Sequence, residues 1–161
     1  QTFSNTENLI SSLELCEANF TARFSEESSD TVQRVGALNL KLLSIAAKFT
    51  AAPNSSDDLS GLLQELEQAE LSAESIHVDQ QSLIANTNFA GLLRIQAGIR
   101  LLTASVRASL ARNESRGVHQ RSDFLEENSE LLHHITVDND ANIGTLAVRK
   151  GQKDNWILTP Q

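Results

Sequence analysis

The densest set of chemically capable side chains in this sequence lies in one stretch, where Arg112, Glu114, Ser115, Arg116, His119, Arg121 and Asp123 are gathered around Gly117. Two chemistries suit those residue types. A histidine titrating near neutrality beside Glu114 could exchange protons, while Arg116 held a carboxylate substrate. The other use is structural, because a planar guanidinium fork grips a carboxylate through paired hydrogen bonds and so fixes a loop or a neighbouring domain against a rigid edge. The structural use is the stronger expectation, since no cofactor signature or pocket motif accompanies the cluster. The remaining candidates are weaker. His133 and His134 are adjacent, so on a strand they point to opposite faces and cannot share a metal. His77 and Asp79 are too few for a cation site. Cys16 sits on an apolar stripe and reads as a small buried hydrophobe.

These residues need elements to position them. Leu9, Leu13, Cys16, Phe20 and Phe24 recur at helical spacing after a capping-box pattern at Ser4 and Glu7, which predicts a helix over 6–24. Asp30 can cap a second helix ending near Thr50, carrying Val32, Val35, Leu38, Leu42, Ile45 and Phe49 on one side. Pro53 and the turn formers Asn54 to Asp58 then read as a flexible connection. A third helix is expected over 59–75, with Leu62, Leu63, Leu66, Ala69 and Ala73 inward and Glu65, Glu67, Glu70 and Glu74 on a solvated face.

Asn86 or Asn88 can cap a fourth and longest helix running to about Arg112. Its apolar residues, from Phe89 to Leu110, fill more than one stripe, so it should be central and covered on most sides, with Arg94, Arg100, Arg107 and Arg112 free to reach out. Gly117 is placed to stop this helix in the left-handed conformation, with the arginines meeting the negative end of the helix dipole. Beyond it, Ile135 to Val137 and Thr145 to Val148 are β-type runs that predict a hairpin, with Trp156, Ile157 and Leu158 closing over the hairpin or the bundle. The expected fold is thus mainly α: an antiparallel bundle of about four helices (5–117) with a loop and a small β-hairpin tail (118–161), in one domain.

Composition narrows the partners. A net charge of -8 repels phosphate backbones and anionic lipid, so neither nucleic acid nor direct membrane insertion is expected. No uninterrupted apolar run approaches the ~20 residues of a membrane span. With one cysteine the chain cannot form an internal disulfide, and with 4% aromatic residues it has few stacking platforms for a flavin or a base. The chain opens on Gln1 and contains no methionine, which reads as an excised or processed piece.

The run Arg-x-Glu-Ser-Arg-Gly-x-His-x-Arg-x-Asp-Phe at 112–124 resembles the signature of the C-terminal domain of flavoprotein subunits in the fumarate reductase and succinate dehydrogenase family, L-aspartate oxidase included. The resemblance extends upstream to His77, Val78, Asp79, Ser82, Asn86 and Thr87, downstream to Leu132, His134, Ile135 and Thr136, and faintly to Asn19, Phe20 and Phe24. Three departures stand out: an extra helical stretch between the first helix and Asn86, Leu125 where the family commonly has proline, and a tail after Val137 that matches the family poorly. The resemblance implies that FAD and the catalytic residues belong to other domains of a larger oxidoreductase. It implies that this piece binds no cofactor or metal, is inactive by itself, and packs on the flavin-binding domain of the same polypeptide. It also implies an iron-sulfur subunit as electron-transfer partner, and a cytoplasmic location, peripheral to the inner membrane through partner subunits. The seven glycines form no Gly-x-Gly-x-x-Gly, in keeping with a dinucleotide cradle elsewhere. The competing expectation is a stand-alone helical interaction module. A phosphotransfer bundle would need a solvent-facing mid-helix histidine, which none of the four offers.

Overall fold

The computed structural model describes residues 34–51, 53–76, 86–138, 141–150 and 156–160, the last segment and 149–150 by backbone alone. The expected helix 6–24, the cap at Asp30, Cys16, His77 and Asp79 lie outside the described residues.

Among the described residues there are three α-helices in chain order: α1 (Val35–Thr50), α2 (Ser56–Glu74) and α3 (Thr87–Ala111). Helix α1 starts at Val35, after an extended Arg34 that offers no side-chain cap, and so later than a cap at Asp30 would set it; it buries Leu38, Leu42 and Ile45, as its spacing predicts. Helix α2 begins three residues earlier than expected. Ser55 accepts from the Asp58 N–H at 3.1 Å while the Asp58 carboxylate accepts from the Ser55 N–H at 2.8 Å, closing a capping box. The Ser55 hydroxyl and N–H hold the Asp58 carboxyl below its ordinary range. The supposed flexible connection is therefore, at its end, a helix start. Leu59, Leu62, Leu66, Ala69 and Ala73 face the core. In α3, Asn86 is the cap, accepting from the Phe89 N–H at 2.9 Å.

Consecutive helices run antiparallel, so α1 and α3 are parallel, and their approach shows it. A Cβ built on Gly91 would meet Val35, and one on Gly98 would meet Leu42 at 2.8 Å, both positions advancing by seven residues. At Gly98 a side chain would have to displace a core leucine. Leu92, Ile95, Ile99 and Val106 complete the core from α3; burying each such side chain contributes roughly 1.5–3 kcal/mol. Helix α3 is central, yet it is not covered on most sides: Leu93 and Leu101 stand 50% and 69% exposed. By length and composition α3 is also long and apolar enough to cross a bilayer, although charged residues interrupt its apolar runs; here its inner face packs on α1 and α2.

After α3 comes an irregular segment with one 3-10 turn, Ser129–Leu131, then β1 (His133–Val137), β2 (Ile143–Lys150) and β3 (Trp156–Pro160). The strands form an antiparallel sheet of order β1-β2-β3, with Ile135 opposite Thr145 and Val148 opposite Leu158. β1 and β2 form the expected hairpin, and 156–160 adds a third strand to it instead of folding over it, so that the tail is a three-stranded meander. Arg107 donates to the Ala141 carbonyl at 3.1 Å, and Ala141 itself has φ 62 in the turn between β1 and β2. Among the described helices the sheet touches only α3.

Candidate functional site

Helix α3 ends at Ala111, six residues before Gly117, and Arg112 is already extended. No cation stands in its last turn. Gly117 does take φ +57, but as the first central residue of a two-residue turn. Arg116 and His119 exchange backbone hydrogen bonds of 2.8 and 3.0 Å across it. A positive φ at that position alone is the type II′ pattern, which glycine satisfies without strain. Val118 at the tip is fully exposed.

The helix end is capped from a distance. Arg121, 1% exposed, turns Nη1 toward the carbonyls of Ser109 and Arg112 at 2.9 and 3.2 Å. Its Nη2 donates to the Ser56 hydroxyl at 2.7 Å and to Asp123 Oδ2 at 2.7 Å, and its Nε donates to Asp123 Oδ1 at 2.8 Å. All five N–H donors of the guanidinium are consumed. Asp123 completes the bridge by accepting from the Ser56 N–H at 2.8 Å, at the first turn of α2. A cation thus sits at the negative end of α3 and an anion at the positive end of α2, which is the favourable polarity for both dipoles. Arg121, with the Ser56 hydroxyl and N–H behind it, draws the Asp123 carboxyl well below the usual carboxylate range against the opposing effect of burial. Phe124 lies under the same guanidinium, 5.1 Å from Cζ to ring centroid.

A second unit is built on Glu114, which is fully buried. Its carboxylate accepts from Arg116 Nε and Nη2 at 3.1 and 2.8 Å, from the Asn128 N–H at 2.8 Å, and from Arg112 Nη1. The Arg116 hydrogen bonds pull the Glu114 carboxyl down to about 2; burial opposes them, and Asn128 and Arg112 add to them. Arg116 is raised in turn by Glu114, and its Nη1 donates to Glu127 at 2.9 Å. Arg112 reaches on to the carbonyls of Leu131 and His133, tying β1 to the end of α3. Three cations, Arg112, Arg116 and Arg121, therefore meet three carboxylates, Glu114, Asp123 and Glu127, and the cluster is neutral.

Ser115 stitches the two units together. Its hydroxyl accepts from the Arg121 N–H at 2.9 Å and donates to the Phe124 carbonyl at 2.7 Å, and its own N–H donates to the Glu126 carbonyl. His119 places Nε2 3.2 Å from the Arg112 carbonyl, away from any carboxylate bond. All eight expected residues fall in this region, but not as an acid and base pair. Ser56, Glu127 and Asn128 join them without any sequence signal beyond being polar. A cavity of about 320 Å³ opens beside the turn, lined by Phe49, Leu59, Ser109, Val118, His119 and Arg121; its one cation has no donor left for a substrate. His133 and His134 differ in exposure along β1, as expected on a strand, and no group of three metal-ligating side chains occurs among the described residues.

The pattern has counterparts. The model of a family described as the fumarate reductase flavoprotein C-term matches residues 41–157. Fumarate reductase flavoprotein subunits of Mycobacterium tuberculosis, from strains CDC 1551 / Oshkosh and ATCC 25618 / H37Rv, are each 38% identical over 72 residues, which is 44% of this chain and 12% of theirs. An E. coli quinol fumarate reductase FrdA variant superposes with a TM-score of 0.68 at 12% identity, over 94% of this chain and 24% of that one. The Mycobacterium smegmatis Sdh1 complex in the apo form contains a chain with TM-score 0.65 at 16% identity and the same coverages. At those identities the likeness is one of fold. The chain spans about an eighth of the length of the curated relatives it matches.

Proposed function

This chain belongs to the fumarate reductase flavoprotein C-term family, and from that premise we propose that it is an accessory domain of an FAD-dependent oxidoreductase of the fumarate reductase and succinate dehydrogenase type. In this reading it packs on the flavin-binding domain of the same polypeptide and contributes to the interface with an iron-sulfur electron-transfer subunit. Through those partners it sits in the cytoplasm at the surface of the inner membrane. The observation that carries the reading is the consumption of Arg121. A guanidinium whose donors all end on the chain's own carboxylate, hydroxyl and carbonyl groups holds a shape and handles no substrate.

In this reading FAD is held elsewhere in the polypeptide, and the two helix starts fit that. The N-terminus of α2, where a phosphate would bind, is filled by Asp58 and Asp123, and α3 opens on the Asn86 cap without a glycine-rich loop. What the cluster does supply is a rigid frame for the exposed segment 122–130, whose backbone is pinned at Phe124, Glu126 and Asn128 by Ser115, Glu114 and Arg116. Together with the Val118 tip, that segment is the docking edge. Co-expression with the product of the upstream reading frame tests this: a flavin-containing complex that co-purifies with this chain is expected, with no flavin absorbance or fumarate reduction from the chain alone. Yellow colour or turnover in the isolated chain would overturn the reading.

A further inference from the structure

The outer face of α3 is apolar, which a solvent-facing helix side normally is not. Leu93, Ala97 and Leu101 follow at i, i+4 and i+8 opposite the buried Leu92, Ile95 and Ile99. Leu93 and Leu101 are the exposed large members, and Ala97 between them leaves room for close approach. Arg94 flanks the stripe on one side and Arg100 on the other; both are exposed and neither forms an ion pair among the described residues. The remaining arginines named above are all spoken for, and the chain as a whole is acidic.

The geometry points to this stripe as a second docking surface, distinct from the 118–130 edge, for a protein helix with a small apolar face flanked by carboxylates. Charge decides the occupant. A second copy pairing antiparallel about Ala97 would match Leu93 with Leu101, but it would also set Arg94 against Arg100 twice, and such like-charge contacts are strongly disfavoured at an interface. An acidic partner keeps the apolar match and pairs both guanidiniums. The inference rests on the accessory-domain reading only in expecting a protein partner, so its test needs no flavin domain.

The probe is a fluorescent helical peptide of about 20 residues with an alanine and leucine stripe and glutamates on both flanks, set against the same peptide with lysines in their place. By anisotropy at low salt, the full chain should bind the glutamate peptide at least about tenfold more tightly. L101E should abolish binding, and R94E/R100E should reverse the preference, with unchanged helical circular dichroism because all three sites are exposed. Equal binding of the two peptides, or none, overturns the proposal. So does self-association by sedimentation that L101E abolishes, which would make the occupant a second copy. Co-sedimentation with phosphatidylglycerol vesicles in the absence of peptide binding would assign the stripe to lipid and equally overturn it.

Discussion

Replacing Glu114 with glutamine tests the buried ion-pair unit directly. The side chain keeps its size, but one carboxylate oxygen becomes an NH2 group facing guanidinium and backbone donors, so acceptors are lost where four donor groups converge. The folded-state carboxyl lies at about 2 against an ordinary 4.5. At about 1.4 kcal/mol per unit, that depression corresponds to about 3 kcal/mol of stability at neutral pH. The sign follows from the lowered value: the contribution is complete above about pH 5 and is lost as pH falls through the folded pKa near 2. By about pH 3 roughly half is gone from the native protein, while the glutamine variant has none to lose. Urea unfolding of both proteins from pH 7 down to pH 3 should therefore show a gap of about 3 kcal/mol that shrinks by about half. A gap below about 1 kcal/mol at pH 7, or one that stays constant with pH, would refute the account of Glu114 as a charged, buried anchor.

Arg121→Lys should lower stability by about 3 kcal/mol, or roughly 6–12 °C in thermal midpoint, because an ammonium cannot reach two helix carbonyls, Ser56 and both oxygens of Asp123 at once; a shift under about 2 °C contradicts this. Gly117→Ala, at φ +57, should cost about 1–2 kcal/mol by urea titration, and Gly117→Asn clearly less. Ser55→Ala removes one half of the α2 capping box and should cost about 1 kcal/mol, with faster amide exchange confined to the first turn of α2 as the readout.

What the sequence made legible was whatever short spacing determines. The inner faces of α1, α2 and α3 and the cap at Asn86 follow from apolar periodicity and local hydrogen bonding. Three features did not. Ser55 and Asp58 belong to residue types that serve turns and helix caps equally, so composition could not separate a loose connection from a capping box. Gly117 is of the residue type that stops a helix locally, whereas the actual cap, Arg121, arrives ten residues after the helix has ended. The third strand was hidden because residues 156–160 have meaning only beside β2. At the site, the density of charge marked the right residues but not their pairing. Ser56 and Asn128 could be found only by the chain's return in three dimensions.

The Ser56 to Arg121 contact spans 65 residues, and this bears on the order of folding. Drawing such distant points together costs about 4 kcal/mol in chain entropy before any constant is added, similar to what the contact returns. It therefore cannot nucleate anything. It closes late, once α2 and α3 already lie side by side, and it does so only if they lie in the correct register, since sliding α2 by one residue would swing Ser56 some 100° around its axis. The clasp thus acts as a check on assembly: a misregistered bundle would leave a buried guanidinium unanswered and so remain prone to reopening.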